Sequence, residues 1–436
     1  MNSRDLAVAA FVSFASIASA GAQAPSGDTL RLGMLLTSAL QRDPRGRELE
    51  LLTAQSRLRQ KSLDAEGRPT LSVESMAQYQ SDVPRIPISL PGGASPPTPP
   101  HDTYDARVVA QQRLYDPAIA PRRAVEDAQL AESQARLRVS LFGLRQHVND
   151  VYFASLRAQS QIAELETTIT DLDAQAHVAE SRVREGAALP SEELALRAEL
   201  LRRRQTVAEF AATRRASLEV LGDLTGRSFD SVSTLGMPDL ADEVARARTG
   251  LNDLRARAEY EQFARTRDLL SQQEQARSAQ DKPRVSAYGR VGYGQPGLNP
   301  LNDRFDSYWL AGVQLQWTPW NWGTTSRDRE VLALQRQIVS AEEQNFTDNL
   351  RRGVAQDLAS IDRLATTVAA DDEIVALRER IAAETRVRFG EGVVTSAEYV
   401  DRETDVLSAR ISRATHRVEL AQARARFLTT LGIEVR

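Results

Sequence analysis

The sequence predicts an α+β membrane protein built from two tandem repeats, in which each chain gives four strands to a shared barrel and two very long helices to a helical wall. Three observations predict it. The order helix, strand, loop, strand, very long helix, tight turn, helix is written twice. The strands alternate polar and apolar residues with period two, and the first long helix keeps an apolar seven-residue repeat.

In chain order, residues 1–22 read as a cleaved secretory signal. Arg4 precedes an apolar run from Leu6 to Ile17, too short to cross a bilayer, and small residues follow at Ala18, Ala20, Ala22 and Ala24. The first repeat spans 29–221: a helical pattern from Thr29 to Glu66, a β-hairpin at 68–115, a long helix at 117–186 and a return helix at 191–221. Residues 222–250 break the periodicity and read as a connector. The second repeat, 251–432, has a helical pattern from Asn252 to Gln280, a hairpin at 282–317, a long helix at 324–390 and a return helix at 396–432. Matching details tie the halves together: Pro69 and Pro283 each follow a basic residue at strand entry, and Tyr115 and Asp116 at one strand exit match Trp320 and Asn321 at the other.

In the strands, Leu71, Val73, Ala77 and Tyr79 share a face opposite Ser72, Glu74 and Gln78, and Ala106, Val108, Ala110 and Leu114 oppose Arg107, Gln111 and Arg113. The second repeat sets Val285, Ala287, Val291 and Tyr293 against Arg284, Ser286 and Arg290, and Trp309, Ala311, Val313, Leu315 and Trp317 against Tyr308, Gln314 and Gln316. Ser75, Met76, Val109, Gln112 and Leu310 interrupt the alternation. Periodicity alone also fits a soluble sandwich. Strand length, aromatics near strand ends and charge on the opposite face favour lipid outside and water inside. Four strands cannot close a barrel, since about eight are needed to surround packed side chains, so several chains must contribute. The segment 81–102 is rich in Pro and Gly and reads as an extracellular loop, with a Pro-rich recognition ligand as the sharper alternative.

No proline lies between Pro121 and Gly186, or between Gly323 and Gly390, so each rod is roughly 100 Å long at 1.5 Å per residue. In the first, steps of four and three run from Leu137 through Val148, Leu165 and Leu172 to Val183. The return helix of the second repeat keeps this rhythm from Leu407 to Leu428. In the first repeat, Arg214 falls on the seam and is expected to send its head to water. The tip turns, Gly186, Ala187, Ala188 and Leu189, and Gly392, Val393, Val394 and Thr395, reverse the chain into helical hairpins.

Taken together, the signal sequence, paired hairpins, heptad rods and the tip "FGEGVVTSAEYVD" resemble the TolC-type outer-membrane efflux family, from "TLRLGMLLTSALQRDP" (29–44) to "RFLTTLG" (426–432). The resemblance implies a homotrimer: a trimeric 12-stranded β-barrel, four strands per chain, continuous with a long α-helical coiled-coil barrel. It places the protein in the outer membrane of a Gram-negative bacterium, reaching into the periplasm. Its partners are outer-membrane lipid, a periplasmic adaptor at the tip turns and an inner-membrane transporter. The function implied is passive: an exit duct of tripartite efflux or type I secretion. The rival reading is a secreted coiled-coil interaction protein with a small soluble sheet.

The resemblance also points to an acidic ring at the periplasmic entrance, formed by Glu398, Asp401 and Glu192 at matching distances after Gly392 and Gly186. Carboxylates repeated around a constriction attract cations. The alternative role is to satisfy the helix macrodipole. Members of that family close the entrance with a tyrosine before the tip and an arginine after it. Phe389 and Val394 stand there instead, which implies a weaker lock, assisted by Arg388 or Arg184.

Composition excludes several other classes. A net charge of -4 gives no basic excess for nucleic acid, and the absence of cysteine removes disulfides and thiolate chemistry. The histidines, His101, His147, His177 and His416, lack ligand spacing, so no metal is expected. "GYGQPG" (292–297) matches a dinucleotide motif but no helix follows it, and no cofactor is expected. There is no assembled catalytic constellation, and an enzyme is not expected. Asn345-Phe346-Thr347 is a glycosylation triplet within a helix.

Overall fold

A computed structural model describes residues 29–84, 98–250, 255–300 and 303–434. The expected signal and the centre of the Pro-rich loop lie outside the described residues. The order of elements is α1 (Leu32–Arg42), α2 (Arg45–Glu66), β1 (Thr70–Tyr79), β2 (Asp102–Tyr115), α3 (Ile119–Arg184), α4 (Pro190–Thr225), α5 (Ala241–Thr249), α6 (Ala258–Ala279), β3 (Arg284–Gln295), β4 (Asp306–Gln316), α7 (Thr324–Gly390) and α8 (Ser396–Thr430). Two compact units result. One comprises Met1–Asp43, Leu144–Leu251 and Val354–Arg436; the other comprises Pro44–Gly143 and Asn252–Gly353. The chain of each long helix, α3 and α7, contributes to both.

The single helix expected from Thr29 to Glu66 is two helices. Pro44 has no N–H, and it holds Asp43 out of the helical region, at φ -57° and ψ 126°. The α1 helix therefore ends at Arg42 and α2 begins at Arg45.

In the second unit the four strands form one antiparallel sheet in the order β1-β2-β3-β4. The register aligns Val73, Val108, Val291 and Trp309 in one row. These side chains are 78%, 41%, 64% and 74% exposed, so the apolar face is open. The next row, on the opposite face, is Glu74, Arg107, Gly292 and Tyr308. Tyr308 lies over Gly292, where an added Cβ would stand 2.5 Å from its ring. Tyr288 lies over Gly312 in the reciprocal arrangement, with its hydroxyl oxygen 2.8 Å from an added Cβ. The glycines give these two rings room to lie flat across the sheet. Where strand passes to helix, the duplicated corners share one device: Asp116 Oδ1 accepts from the Ala118 amide at 3.0 Å, and Asn321 Oδ1 accepts from the Gly323 amide at 3.1 Å.

In the first unit the seam residues Leu144, Val148, Ser155, Ala158, Leu165, Leu172, Ala176 and Ala179 of α3 are all buried, as are Leu407, Val418, Ala421, Ala425 and Leu428 of α8. The α4 helix runs a turn beyond the expected 221 and stops at Gly226, whose φ of 70° is the left-handed cap that ends helices. The connector is more structured than its irregular pattern suggests. It carries α5 and forms a parallel bridge between Leu30 and Leu235. Tyr152 of α3 places its hydroxyl 3.0 Å from the Leu30 carbonyl oxygen and 2.5 Å from that of Gly236. Burial pushes its pKa up to about 12. Gln159 bonds both the amide and the carbonyl of Leu235 at 3.0 Å.

Arg214, expected to send its head to water from the seam, is half-buried and its head is held by the connector. Its guanidinium donates to the carbonyls of Ser231 at 2.7 Å and Ser233 at 2.5 Å, and to Gln159 Oε1 at 3.2 Å. Burial draws its pKa below the usual arginine value, which fits a head group enclosed by backbone carbonyls. The residue that interrupts the seam therefore pins the connector to α4. Arg214→Met is expected to cost about 2 kcal/mol by removing the charge-assisted hydrogen bonds that hold the connector. The checks are a lower midpoint of thermal unfolding and faster proteolysis at 227–240.

Candidate functional site

The two tip turns have the same backbone. Gly186 and Gly392 both sit at φ 75°, a conformation that other residues adopt only with strain. In the first, the Gly186 amide donates to Val183 O at 3.1 Å and the Ala187 amide to Arg182 O at 2.8 Å; in the second, Gly392 donates to Phe389 O at 3.1 Å and Val393 to Arg388 O at 2.9 Å. Together these are the paired bonds of a Schellman cap. The helix starts that follow differ. Pro190 opens α4 without a side-chain cap, whereas Thr395 caps α8 by accepting from the Glu398 amide at 3.3 Å.

Behind the turns, a shared core brings together Leu172, Ala176 and Ala179 of α3, Leu196 and Leu200 of α4, Phe389 of α7 and Tyr399 of α8, with Val394 packed against it. Phe389 stacks on Tyr399 at 4.9 Å with 11° between the ring planes. Phe389, which stands where the resemblance calls for a bonding tyrosine, is thus a core residue. Burial, with the charge of Glu403 next, pushes the Tyr399 hydroxyl up to about 12.

Of the expected acidic residues, Glu398 and Asp401 are exposed on the first turns of α8, and Glu192 is half-buried on the first turn of α4. Asp401 lies 3.5 Å from Arg402. These positions suit both a charge ring and a helix-dipole role. At the turns, Leu189 is 65% and Val393 70% exposed, so each tip presents an apolar side chain.

Neither expected gate-assisting arginine reaches the other hairpin. Arg388 pairs with Glu384 at 2.5 Å on its own helix, and Arg184 bonds Ser181 Oγ at 3.3 Å on its own. Three other arginines link the hairpins. Arg182 of α3 donates to the Phe389 carbonyl at 3.4 Å. Arg386 of α7 bonds Glu403 of α8 at 2.9 Å and lies 3.5 Å from Asp171 of α3. Burial disfavours the Arg386 charge, but Glu403 outweighs it and raises the pKa. Arg203 of α4, only 2% exposed, bonds Glu199 at 2.9 Å and Thr404 of α8 at 3.3 Å. The sequence held a weak signal for these: arginines lying within a few residues of the apolar seam.

Four strands that leave an apolar face open and two long helices with matching tips are a fold shared with solved outer-membrane channels. Solved structures with this fold include CusC, described for transmembrane channel formation, at 16% identity over 92% of each chain with a TM-score of 0.67. The outer membrane protein VceC of Vibrio cholerae matches at 14% identity over 93% of this chain and 97% of that one, with a TM-score of 0.65. The open-state MtrE outer membrane channel of Neisseria gonorrhoeae matches at 17% identity over 93% and 90%, also at 0.65. No family model and no curated sequence matches the chain.

Proposed function

We propose that this protein is a TolC-type exit duct. On this reading a homotrimer closes a 12-stranded barrel in the outer membrane and extends a helical tunnel into the periplasm. It conducts solutes passively from an inner-membrane transporter and a periplasmic adaptor that docks at the tip turns, without catalysis. The observation that carries the reading is the open apolar face of the sheet, with Val73, Val291 and Trp309 each more than three-fifths exposed. A secreted protein with a soluble sheet would have to bury that face, and among the described residues no element covers it.

The dimensions agree with a bilayer. From Ser307, opposite Tyr293, to Trp317 is ten residues, about 34 Å along a strand and about 26 Å vertically at a tilt near 40°, against a barrel's apolar band of about 25 Å. Exposed apolar stripes at heptad spacing on α7, Val331, Leu334 and Ile338, then Ile374, Leu377 and Ile381, await helices that one chain does not supply.

Planar-bilayer recording of the purified protein tests the reading: channels of defined conductance are expected, and their absence sinks it. Glu398→Gln with Asp401→Asn is expected to lower cation preference; unchanged selectivity would remove the acidic ring while leaving the duct. With Phe389 and Val394 unable to bond, the resting conductance is expected to exceed that of a tightly closed channel.

A further inference from the structure

On the polar face of the sheet, charge is mostly neutralised locally. Arg107 bonds Glu74 at 2.7 and 2.9 Å and Asp105 at 3.2 Å, and Asp105 also accepts from the Tyr308 hydroxyl at 2.6 Å. Arg113 bonds Glu66 at 2.6 Å, and Arg284 lies 3.7 Å from Asp116. Arg290 is different. Among the described residues it has no carboxylate partner; its Nε, like that of Arg284, is enclosed without a hydrogen bond.

Its surroundings are fixed within the chain. Arg290 lies on β3, an inner strand flanked by β2 and β4, so a neighbouring copy can pair only with the sheet edges, β1 and β4. Directly beside it across the sheet are Val109 and Leu310, two of the residues that break the alternation of their strands. The diagonal positions hold Arg107, Gln111, Tyr308 and Gly312, and along β3 its neighbours on this face are Tyr288 and Gly292. None is acidic. A guanidinium between two apolar side chains is left with little to screen it besides water.

We propose that Arg290 is a selectivity residue of the barrel: its copies form a cationic ring in the lumen that favours solutes bearing carboxylate, phosphate or sulfonate groups. This rests on the channel reading. Rings of arginine select anions as acidic rings select cations, so the conduit carries two filters of opposite sign, Arg290 in the barrel and the carboxylates at the tip. Val109 and Leu310 then have a role: apolar neighbours keep the ring unpaired.

The test is reversal potential in a KCl gradient, with the full-length protein in planar bilayers. Arg290→Gln is expected to raise the potassium-to-chloride permeability ratio about threefold, the effect of removing screened charges at a pore wall, while Arg290→Lys leaves it near the wild-type value. An unchanged ratio in Arg290→Gln overturns the ring and leaves the duct intact, whereas absence of any conductance in the wild type overturns the duct and the ring together. The wild type gives a second arm that needs no variant: citrate is expected to block from the barrel side at lower concentration than from the tip side. Equal block from both sides overturns the proposal.

Discussion

Val291→Arg is expected to keep the protein out of the outer membrane. Val291 lies near the middle of the apolar face, 64% exposed, in line with Val73, Val108 and Trp309. An arginine at the midplane of a barrel's lipid face costs about 2–4 kcal/mol per copy, and the proposed homotrimer would multiply that by three. The sum rivals the net stability of an ordinary domain. The control is Gln111→Arg, which adds the same charge on the opposite face of β2. If that face lines a water-filled lumen, Gln111→Arg assembles normally. The measurement is membrane fractionation with a heat-modifiable oligomer on gels. Equal behaviour of the two variants would mean that the sheet has no lipid side, and the soluble reading would return.

The contrast between these faces was legible in the sequence because it depends only on alternation, which neighbouring residues reveal by themselves. The same holds for the first rod, where Leu144, Val148, Ser155, Ala158, Leu165, Leu172, Ala176 and Ala179 are buried at the seven-residue period, and for the tips, where Gly186 and Gly392 take up the left-handed backbone. What escaped was of another kind. The break at Pro44 lay between two stretches of equally helical composition, and the helical character on both sides masked it. The connector has no period to read. It is held by side chains that bond backbone carbonyls far along the chain, as Tyr152 does with Leu30 and Gly236 and Arg214 does with Ser231 and Ser233. Arg214 was legible as an anomaly but not as a clamp, because no local pattern names the carbonyls it meets. At the tip, the sequence indicated that Phe389 could not make a hydroxyl bond, but Arg182, which takes hold of the Phe389 carbonyl instead, carries no motif.

Arg203→Ala is expected to destabilise the tip hairpins by about 3–5 kcal/mol, the usual penalty for stripping one partner from a buried ion pair. Arg203 is 2% exposed and its partner Glu199 8%. Burial alone would raise the Glu199 pKa, but hydrogen bonds from Arg202 and Arg203 outweigh it, and the carboxyl is held below its usual range. A depressed carboxylate pKa contributes stability that is complete above the ordinary carboxylate range and disappears as pH falls through the depressed value. Wild-type thermal stability should therefore fall on acidification below that range. In Arg203→Ala the pH dependence should shift upward, because only the half-exposed bond from Arg202 remains. The pair is also imperfect, since the Arg203 Nη1 is buried with no partner. Replacing both members, Arg203→Met with Glu199→Leu, is thus expected to recover most of the loss or exceed the wild type, as apolar replacements of buried pairs often do. Unfolding of the detergent-solubilised protein followed by circular dichroism across pH measures all three. Were the double variant no better than Arg203→Ala, the polar contacts to Thr404 and the packing of the arginine stem would have to supply the stability here assigned to charge pairing.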